Sequence, residues 1–280
     1  MTQTMTRPTV GTPLPPATHR AGLPGTLHSE WTKLRTVRST MWSLLAMAGI
    51  AIGLMSLIAW ATMHRWARFE PREQANLLHR PLEIILVRPV FICQLVIAVL
   101  GVMVISAEYT TGMIRSTLQA QPRRLTVLAA KVAVFAVLML IVGELLAFAA
   151  FFVGRQVIAA HIPVSLGDPG VTRSVLGAGL YIAVLGLFSL AFGAILRHTA
   201  GAITAVLGLI LIVSNLTGLL PDSWGHHINA WMPTNAGQLI LYPQQGPDDL
   251  LSPWQGLGVF AGWTALLLIV AAVMFQRRDA

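Results

Sequence analysis

Residues 108–124 read EYTTGMIRSTLQAQPRR, a polar insert between two runs that are rich in Leu, Val, Ile and Ala. A loop that only joined two neighbouring helices could be much shorter. Thr110 or Thr111 is placed to cap a short helix, and Pro122 would end it before two arginines. The side of that helix opposite Arg115 would carry Met113, Ile114, Thr117 and Leu118. The insert therefore predicts an amphipathic helix between two long apolar ones, and the alternative is a plain hairpin turn flanked by arginines.

The composition of the chain favours a membrane protein. Of its 280 residues, 55% are hydrophobic and 11% are charged, whereas about a quarter of a soluble domain is charged. Six apolar runs each approach the ~20 residues that cross a bilayer as a helix. They cover residues 41–63, 84–107, 125–153, 174–196, 199–220 and 255–275. We expect an all-α polytopic membrane protein whose six-span domain covers residues 27–280.

Orientation follows from the positions of Lys and Arg. With the N-terminus inside, twelve of the 19 Lys and Arg residues fall on the cytoplasmic side, as the positive-inside rule requires. Residues 1–26 are rich in Pro, Thr and Gly and are predicted to be a disordered cytoplasmic tail. Small residues predict close helix packing. They are Gly49 and Gly53 in the first run and Gly179, Gly186 and Gly193 in the fourth.

Just before the first apolar run, residues 28–40 read HSEWTKLRTVRST. As a helix this segment places Trp31 and Leu34 near one side. The basic residues Lys33, Arg35 and Arg38 then point away from that side. Such a pattern is typical of an amphipathic helix that lies in the membrane interface with its cations toward lipid phosphates. An ordinary basic flank would account for the charges but not for the Trp and Leu spacing.

Other polar residues bear on chemistry. Glu144 lies ~20 Å along the third run from Lys131; it either lines a translocation route, is protonated, or pairs with Arg88. Aromatic residues in the loop 221–254 suggest segments that dip back into the membrane surface. His226 and His227 lack ligand partners at metal spacing, so no metal site is predicted. No catalytic serine or histidine motif is present either.

Several classes of function are disfavoured by the sequence. The net charge of +8 is scattered near the ends of apolar runs, without a basic block that would indicate nucleic-acid binding. A single cysteine, Cys93, excludes an intrachain disulfide. A phosphate-binding P-loop ends in Gly-Lys, but Lys33 and Lys131 follow Thr32 and Ala130. This chain therefore has no Walker-type ATP site of its own.

Three segments together carry a resemblance to a known family. The run from Glu108 through Gly112 and Leu118 to Arg124 and Lys131 resembles the stretch between the second and third spans of type 2 ATP-binding-cassette export permeases, especially the small actinobacterial kind. SEWTKLRTVRST, residues 29–40, resembles the pre-membrane helix of that group. WMPTNAGQLI, residues 231–240, resembles the segment before its last span. The chain departs from the family's common Gly-Thr pair, because Met113 follows Gly112.

The resemblance implies a permease subunit of an exporter in a bacterial plasma membrane, with re-entrant outer segments before the last span. Its loop after the second span would be a coupling helix seated on a separate cytoplasmic ABC ATPase, which binds the ATP and Mg. Carried over position by position, the ATPase-contact candidates are Glu108, Gly112, Ile114, Arg115, Leu118, Pro122 and Arg124. A second permease subunit, identical or a sister chain, would complete the membrane part. No cofactor is expected in this chain.

The implied function is export of an amphipathic or lipid-like substrate or drug, driven by ATP hydrolysis in the partner. The sequence would make this chain a transporter subunit and not an enzyme. The rival hypothesis is an ATPase-independent membrane protein, either an enzyme that acts on lipid or an anchor for another assembly.

Overall fold

A computed structural model describes residues 22–36 and 38–278, without the side chains of residues 38–41, 43, 222 and 223. Helix begins at Leu23, inside the range predicted to be a tail; the rest of that prediction, residues 1–21, lies outside the described residues. In chain order the helices are α1 (Leu23–Thr36), α2 (Arg38–His64), α3 (Pro71–His79), α4 (Arg88–Thr110), α5 (Met113–Ala120), α6 (Arg124–Ile158), α7 (Val171–Leu196), α8 (Thr199–Leu207), α9 (Ser214–Leu216), α10 (Asp222–Trp231), α11 (Pro233–Gln238) and α12 (Pro253–Arg277).

Two of the long helices contain irregular turns. A π-helical turn, Glu83–Val87, precedes α4 and makes one continuous helix, Glu83–Thr110, with it. Another, Gly208–Val213, joins α8 to α9, and a 3-10 turn completes the continuous helix Thr199–Leu219. Shorter 3-10 turns lie at Trp66–Arg68 and Leu239–Leu241.

Within the described residues, six helices are long and apolar enough to cross a membrane. We call them spans 1 to 6: α2, Glu83–Thr110, α6, α7, Thr199–Leu219 and α12. The six predicted runs match them in order, and the largest difference between a predicted and an observed end is five residues, at Ile158. For the described residues, the prediction of an all-helical fold with six helices able to span a membrane is confirmed.

Span 4 is the centre of the bundle. In its most apolar window 67% of the residues are buried, compared with 28% or less in spans 1, 5 and 6. It packs against spans 2, 3 and 6. A Cβ added at Gly193 would lie 2.7 Å from the carbonyl oxygen of Val102, and one at Gly143 would lie 2.8 Å from that of Gly179. These helices approach so closely that only glycine fits at the contact.

The prediction that helices pack closely at these glycines is therefore confirmed for span 4 but not for span 1. A Cβ at Gly49 or Gly53 would meet no described atom within 4 Å. The reason is that span 1 lies at the edge of the bundle, where its glycine side faces away from the other described helices.

The two ends of the bundle differ. We call the end that carries α1, α5 and the last turn of α12 the basal end. The opposite end, which carries α3, α10 and α11, is the far end. At the basal end the guanidinium of Arg124 donates to the carbonyl oxygen of Arg278 at 2.7 Å, and Arg197 donates to that of Met274 at 3.5 Å. These two arginines fasten the end of span 6 to spans 3 and 4.

At the far end, α10 and α11 form a helical hairpin in which α11 packs along span 6 and α10 packs against the last turn of span 5. The indole nitrogen of Trp263 donates to the carbonyl oxygen of Trp231, at the end of α10, at 3.2 Å. Trp263 is ten residues into span 6, so the turn of the hairpin lies ~15 Å along that helix. The hydroxyl groups of Ser214 and Thr234 lie 2.7 Å apart and tie the hairpin to span 5.

Candidate functional site

The candidate site is built around α5, the short helix inside the polar insert. Its Ile114 side chain is 2% exposed and Leu118 is half-buried against the core. Arg115 and Gln119 are exposed on the other side. The predicted amphipathic helix therefore exists, but its apolar side is covered by the chain itself. Met113 was predicted on that side and is instead 42% exposed.

The turn into α5 depends on Gly112. Its φ is +72°, a left-handed conformation that strains any residue with a Cβ, and it occupies the N-cap position without a side-chain hydrogen bond. The predicted capping by Thr110 or Thr111 is wrong. Both hydroxyls donate to the carbonyl oxygen of Ala107, at 3.0 and 2.8 Å, because they close the last turn of span 2.

A cluster of four charged side chains lies directly above α5. Lys131 Nζ is 2.6 Å from Glu30 Oε2 and 2.8 Å from Glu108 Oε1. Lys33 Nζ is 2.6 Å from Glu30 Oε1 and 3.2 Å from Glu108 Oε1. It also donates to the hydroxyl of Thr117 on α5 at 3.1 Å. We call Glu30, Lys33, Glu108 and Lys131 the basal charge cluster; its two ammonium and two carboxylate groups balance.

The basal charge cluster is largely shielded from solvent. The side chains of Glu30, Glu108 and Lys131 are 3%, 7% and 5% exposed, and Lys33 is 23% exposed. Burial by itself would raise the pKa of Glu30, but Lys131 and Lys33 outweigh it and hold that pKa below its ordinary value. Burial would lower the pKa of Lys33, but Glu30 and Glu108 hold it above its ordinary value. Both shifts favour the charged form of the group, which keeps Glu30 and Lys33 ionised at neutral pH.

The basal charge cluster joins four elements that are distant in sequence. Glu30 and Lys33 come from α1, Glu108 from the end of span 2, and Lys131 from the second turn of span 3. Thr117 adds α5, and its hydroxyl also donates to the carbonyl oxygen of Met113 at 3.1 Å. Displacement of α5 would therefore be transmitted to α1 and to spans 2 and 3 together.

The prediction that Lys33 points toward lipid phosphates is wrong. Lys33 is one helical turn after the buried Glu30, so both side chains lie on the face of α1 that packs against span 3. Of the other residues predicted for this interfacial helix, Trp31 and Arg35 are exposed and Leu34 is half-buried. The Arg38 side chain lies outside the described residues. Sequence reasoning missed the cluster, although a lysine inside an apolar run was a sign that a carboxylate must lie nearby.

The seven ATPase-contact candidates separate into two groups. Gly112, Arg115 and Pro122 are exposed at the basal end. Glu108, Ile114, Leu118 and Arg124 are buried or half-buried and contact the chain itself. Arg115 and its exposed neighbour Gln119 on α5 are thus better placed to meet a partner than Ile114.

Glu144 lies midway along span 3, against span 4. A side chain added at Gly179 would overlap its carboxyl group, so the missing Cβ makes the room that Glu144 occupies. Glu144 Oε2 is buried and has no hydrogen-bond partner among the described residues. The pairing with Arg88 considered from sequence is wrong, because Arg88 lies 3.2 Å from Glu83 in the same far-end turn. Glu144 is therefore an unpaired carboxyl group at mid-span depth.

A second polar group, which sequence reasoning missed, is buried nearer the far end. The Tyr181 hydroxyl donates to Gln94 Oε1 at 2.8 Å, and Gln238 of α11 donates to the same oxygen at 3.3 Å. Gln94 and Tyr181 are both fully buried. Gln238 also faces a far-end cavity of about 450 Å³ that is lined in part by His79, Arg80 and Glu83. The signal available in the sequence was a glutamine inside the second apolar run.

His226 and His227 at the far end have ordinary partners. His226 Nε2 lies 2.9 Å from the carbonyl oxygen of Asp248, and its ring contacts that of His227 edge-on. Among the described residues, no group of three or more His, Cys, Asp or Glu side chains is placed to hold a metal ion.

No protein-family model matches this chain, and no curated protein matches it. Its residues and their contacts are therefore what indicates its function.

Proposed function

We propose that this chain is the membrane subunit of an ATP-binding-cassette exporter, similar to the type 2 permeases that its sequence resembles. A separate ATPase would bind at the basal end, which is then cytoplasmic together with both termini. Two permease subunits would form the membrane part in a bacterial plasma membrane. The exported substrate is amphipathic or lipid-like, or a drug.

The observation that carries this proposal is the position of α5, which is buried on one side and exposed on the other. Its apolar side is covered by its own chain, and its polar side, with Arg115 and Gln119, is exposed at the basal end. The basal charge cluster then links it to α1 and to spans 2 and 3. A partner can shift a membrane protein between two states only through contacts that differ between those states. A small helix with one exposed face, joined through the basal charge cluster to three other elements, is suited to that role.

The two lysines support dependence on a partner. Lys33 and Lys131 are the only lysines in the sequence, and both are held in the basal charge cluster. Neither follows a glycine, so neither can complete a phosphate-binding loop. The energy for transport would therefore come from another chain.

The hairpin of α10 and α11 would form the outer gate. In this proposal it is re-entrant, since its turn lies ~15 Å along span 6. Gln238 lines the far-end cavity and bonds to the buried Gln94 and Tyr181, so it would close a route between them. Glu144, deeper in the bundle, would line the route that opens when the spans move.

The test is to purify the tagged chain from its native membranes and to identify any ABC ATPase that co-purifies with it. Reversing the surface of α5 with the double change Arg115→Asp and Gln119→Asp should reduce the co-purified ATPase by about tenfold or more, because two anions replace polar groups at the centre of the contact. Both positions are exposed, so the variant should fold.

Arg72→Asp is the matched control, because Arg72 is exposed at the far end and should leave binding unchanged. Full ATPase binding and transport by the α5 double variant would contradict the proposal. Absence of any associated ATPase would favour the rival, an ATPase-independent protein that acts on lipid or anchors another assembly.

A further inference from the structure

A narrow apolar groove runs along the side of the bundle between α1, span 1 and span 3. Its volume is about 410 Å³. Leu44 and Ala48 of span 1 form one wall, and Leu138 and Leu146 of span 3 form the other. Trp31 and Arg35 of α1 close the basal end of the groove.

The groove opens sideways, toward the space that the bilayer fills around a membrane protein. Leu45 and Leu145 on its rims are 59% and 67% exposed. From Leu138 to Leu146 the wall rises ~12 Å at ~1.5 Å per residue. One leaflet of the hydrocarbon core is ~15 Å thick, so the groove is about as deep as one leaflet.

Among the residues that line this groove and whose side chains the structure describes, the cation is Arg35, at the basal end. Arg35 is exposed and forms no ion pair with any residue that the structure describes. Its neighbour on the helix, Lys33, is held in the basal charge cluster. Trp31 beside it is 41% exposed, and an indole ring at that level is typical of the headgroup region of a membrane.

We propose that this groove binds one anionic phospholipid. Its phosphate accepts hydrogen bonds from the Arg35 guanidinium, and one of its acyl chains lies between Leu44 and Ala48 on one side and Leu138 and Leu146 on the other. Arginine suits this role because its planar donors match a phosphate group. The site requires only that the chain lie in a bilayer, so it is independent of the transport function proposed above.

The lining of the groove favours a lipid over a second protein chain. Its walls are apolar, and the charged group at its basal end is the exposed Arg35, beside the exposed Trp31. An anionic phospholipid matches both parts, because its acyl chain is apolar and its phosphate carries the charge that complements Arg35.

The experiment counts the lipids retained by the purified protein. The full chain is reconstituted in vesicles of one part phosphatidylglycerol to three parts phosphatidylcholine, extracted, and weighed by native mass spectrometry. The wild type should retain one phosphatidylglycerol per chain. Arg35→Gln should weaken its retention about tenfold, as expected for loss of a charge-assisted hydrogen bond. Ala48→Phe, which fills the groove, should prevent retention of either lipid.

Arg123→Gln is the control, since Arg123 is exposed at the same end but outside the groove; it should retain lipid as the wild type does. Equal phosphatidylglycerol retention by wild type and Arg35→Gln would overturn the proposal. So would an Ala48→Phe protein that keeps its lipid and changes only its oligomeric mass, because the groove would then be an interface between copies.

Discussion

At the scale of single residues, Lys131 is the most consequential side chain of the basal end. It is 4% exposed and lies between two carboxylates at 2.6 and 2.8 Å. Burial of such charges is costly unless each is paired. Glu108 Oε2 remains without a hydrogen-bond partner among the described residues. The two ammonium groups of the cluster therefore leave one buried carboxylate oxygen without a donor. The balance of two positive and two negative groups therefore governs the stability of this region.

This balance predicts an asymmetry between single and double substitutions. Lys131→Met leaves two buried carboxylates facing one ammonium and should destabilise the protein by about 3–5 kcal/mol. Adding Glu108→Gln restores neutrality and should recover part of that loss. Thermal unfolding in nanodiscs measures both. A double variant less stable than Lys131→Met alone would mean that neutrality is not what holds the cluster together.

Residue-scale prediction from sequence succeeded where chemistry is local and failed where it depends on another element. Glu144 was recognised as an unusual carboxyl group because it stands in an apolar run. Its environment at Gly179 could not be foreseen, since that contact joins spans 3 and 4. Lys33 was assigned to the lipid side because the charge pattern of α1 does not reveal which face packs against span 3.

At the scale of elements, α1 is fastened to the bundle by charge as well as by packing. It lies mainly against span 3 and less against span 1, and Glu30 is its deepest contact, 2% exposed. Around Glu30 are Lys33 on its own helix, Lys131 on span 3 and, through these cations, Glu108 on span 2. The docking of α1 should therefore depend on pH.

The sign of this dependence follows from the two shifted groups. The pKa of Glu30 is lowered from 4.5 on folding, so its contribution is complete above pH 4.5 and is lost as the pH falls through the lowered value. The pKa of Lys33 is raised from 10.5, so its contribution is complete below pH 10.5 and is lost as the pH rises through the raised value. Between these limits the docking should be constant.

Comparing the melting temperatures of the wild type and Glu30→Gln measures the contribution of Glu30 at low pH. At neutral pH the variant should melt below the wild type, because Lys131 and Lys33 each lose a carboxylate partner. Once the pH is low enough to protonate Glu30 in the wild type, the two melting temperatures should converge. A gap that stays constant down to pH 3 would show that Glu30 acts through its shape and not through its charge.

The elements themselves were largely predictable. The long apolar runs predict the spans, and the amphipathic spacing in residues 108–124 predicts α5. Amphipathicity shows that a helix has an apolar side but not what covers it, so Ile114 was assigned to a partner although it packs against its own chain. The groove beside α1 could not be predicted from the sequence either, because its walls come from three different elements.

At the scale of the whole molecule, the two ends of the bundle have different designs. The basal end is tied together by the basal charge cluster and by Arg124 and Arg197 at the end of span 6. The far end carries a helical hairpin and a polar cavity that meets buried amide groups through Gln238. Ion pairs therefore hold the elements of the basal end together, whereas the hairpin at the far end is joined by neutral hydrogen bonds beside a polar cavity.

The central claim is that α5 lies on the cytoplasmic side, because a partner can hydrolyse ATP only there. Cysteine labelling tests this most directly, with Cys93 replaced by Ala. Ser116→Cys on the exposed face of α5 and Gln244→Cys at the far end provide matched sites. In intact cells a membrane-impermeant maleimide should label Gln244→Cys and leave Ser116→Cys unmodified, and inside-out vesicles should reverse the pattern. Labelling of Ser116→Cys on intact cells would contradict the account.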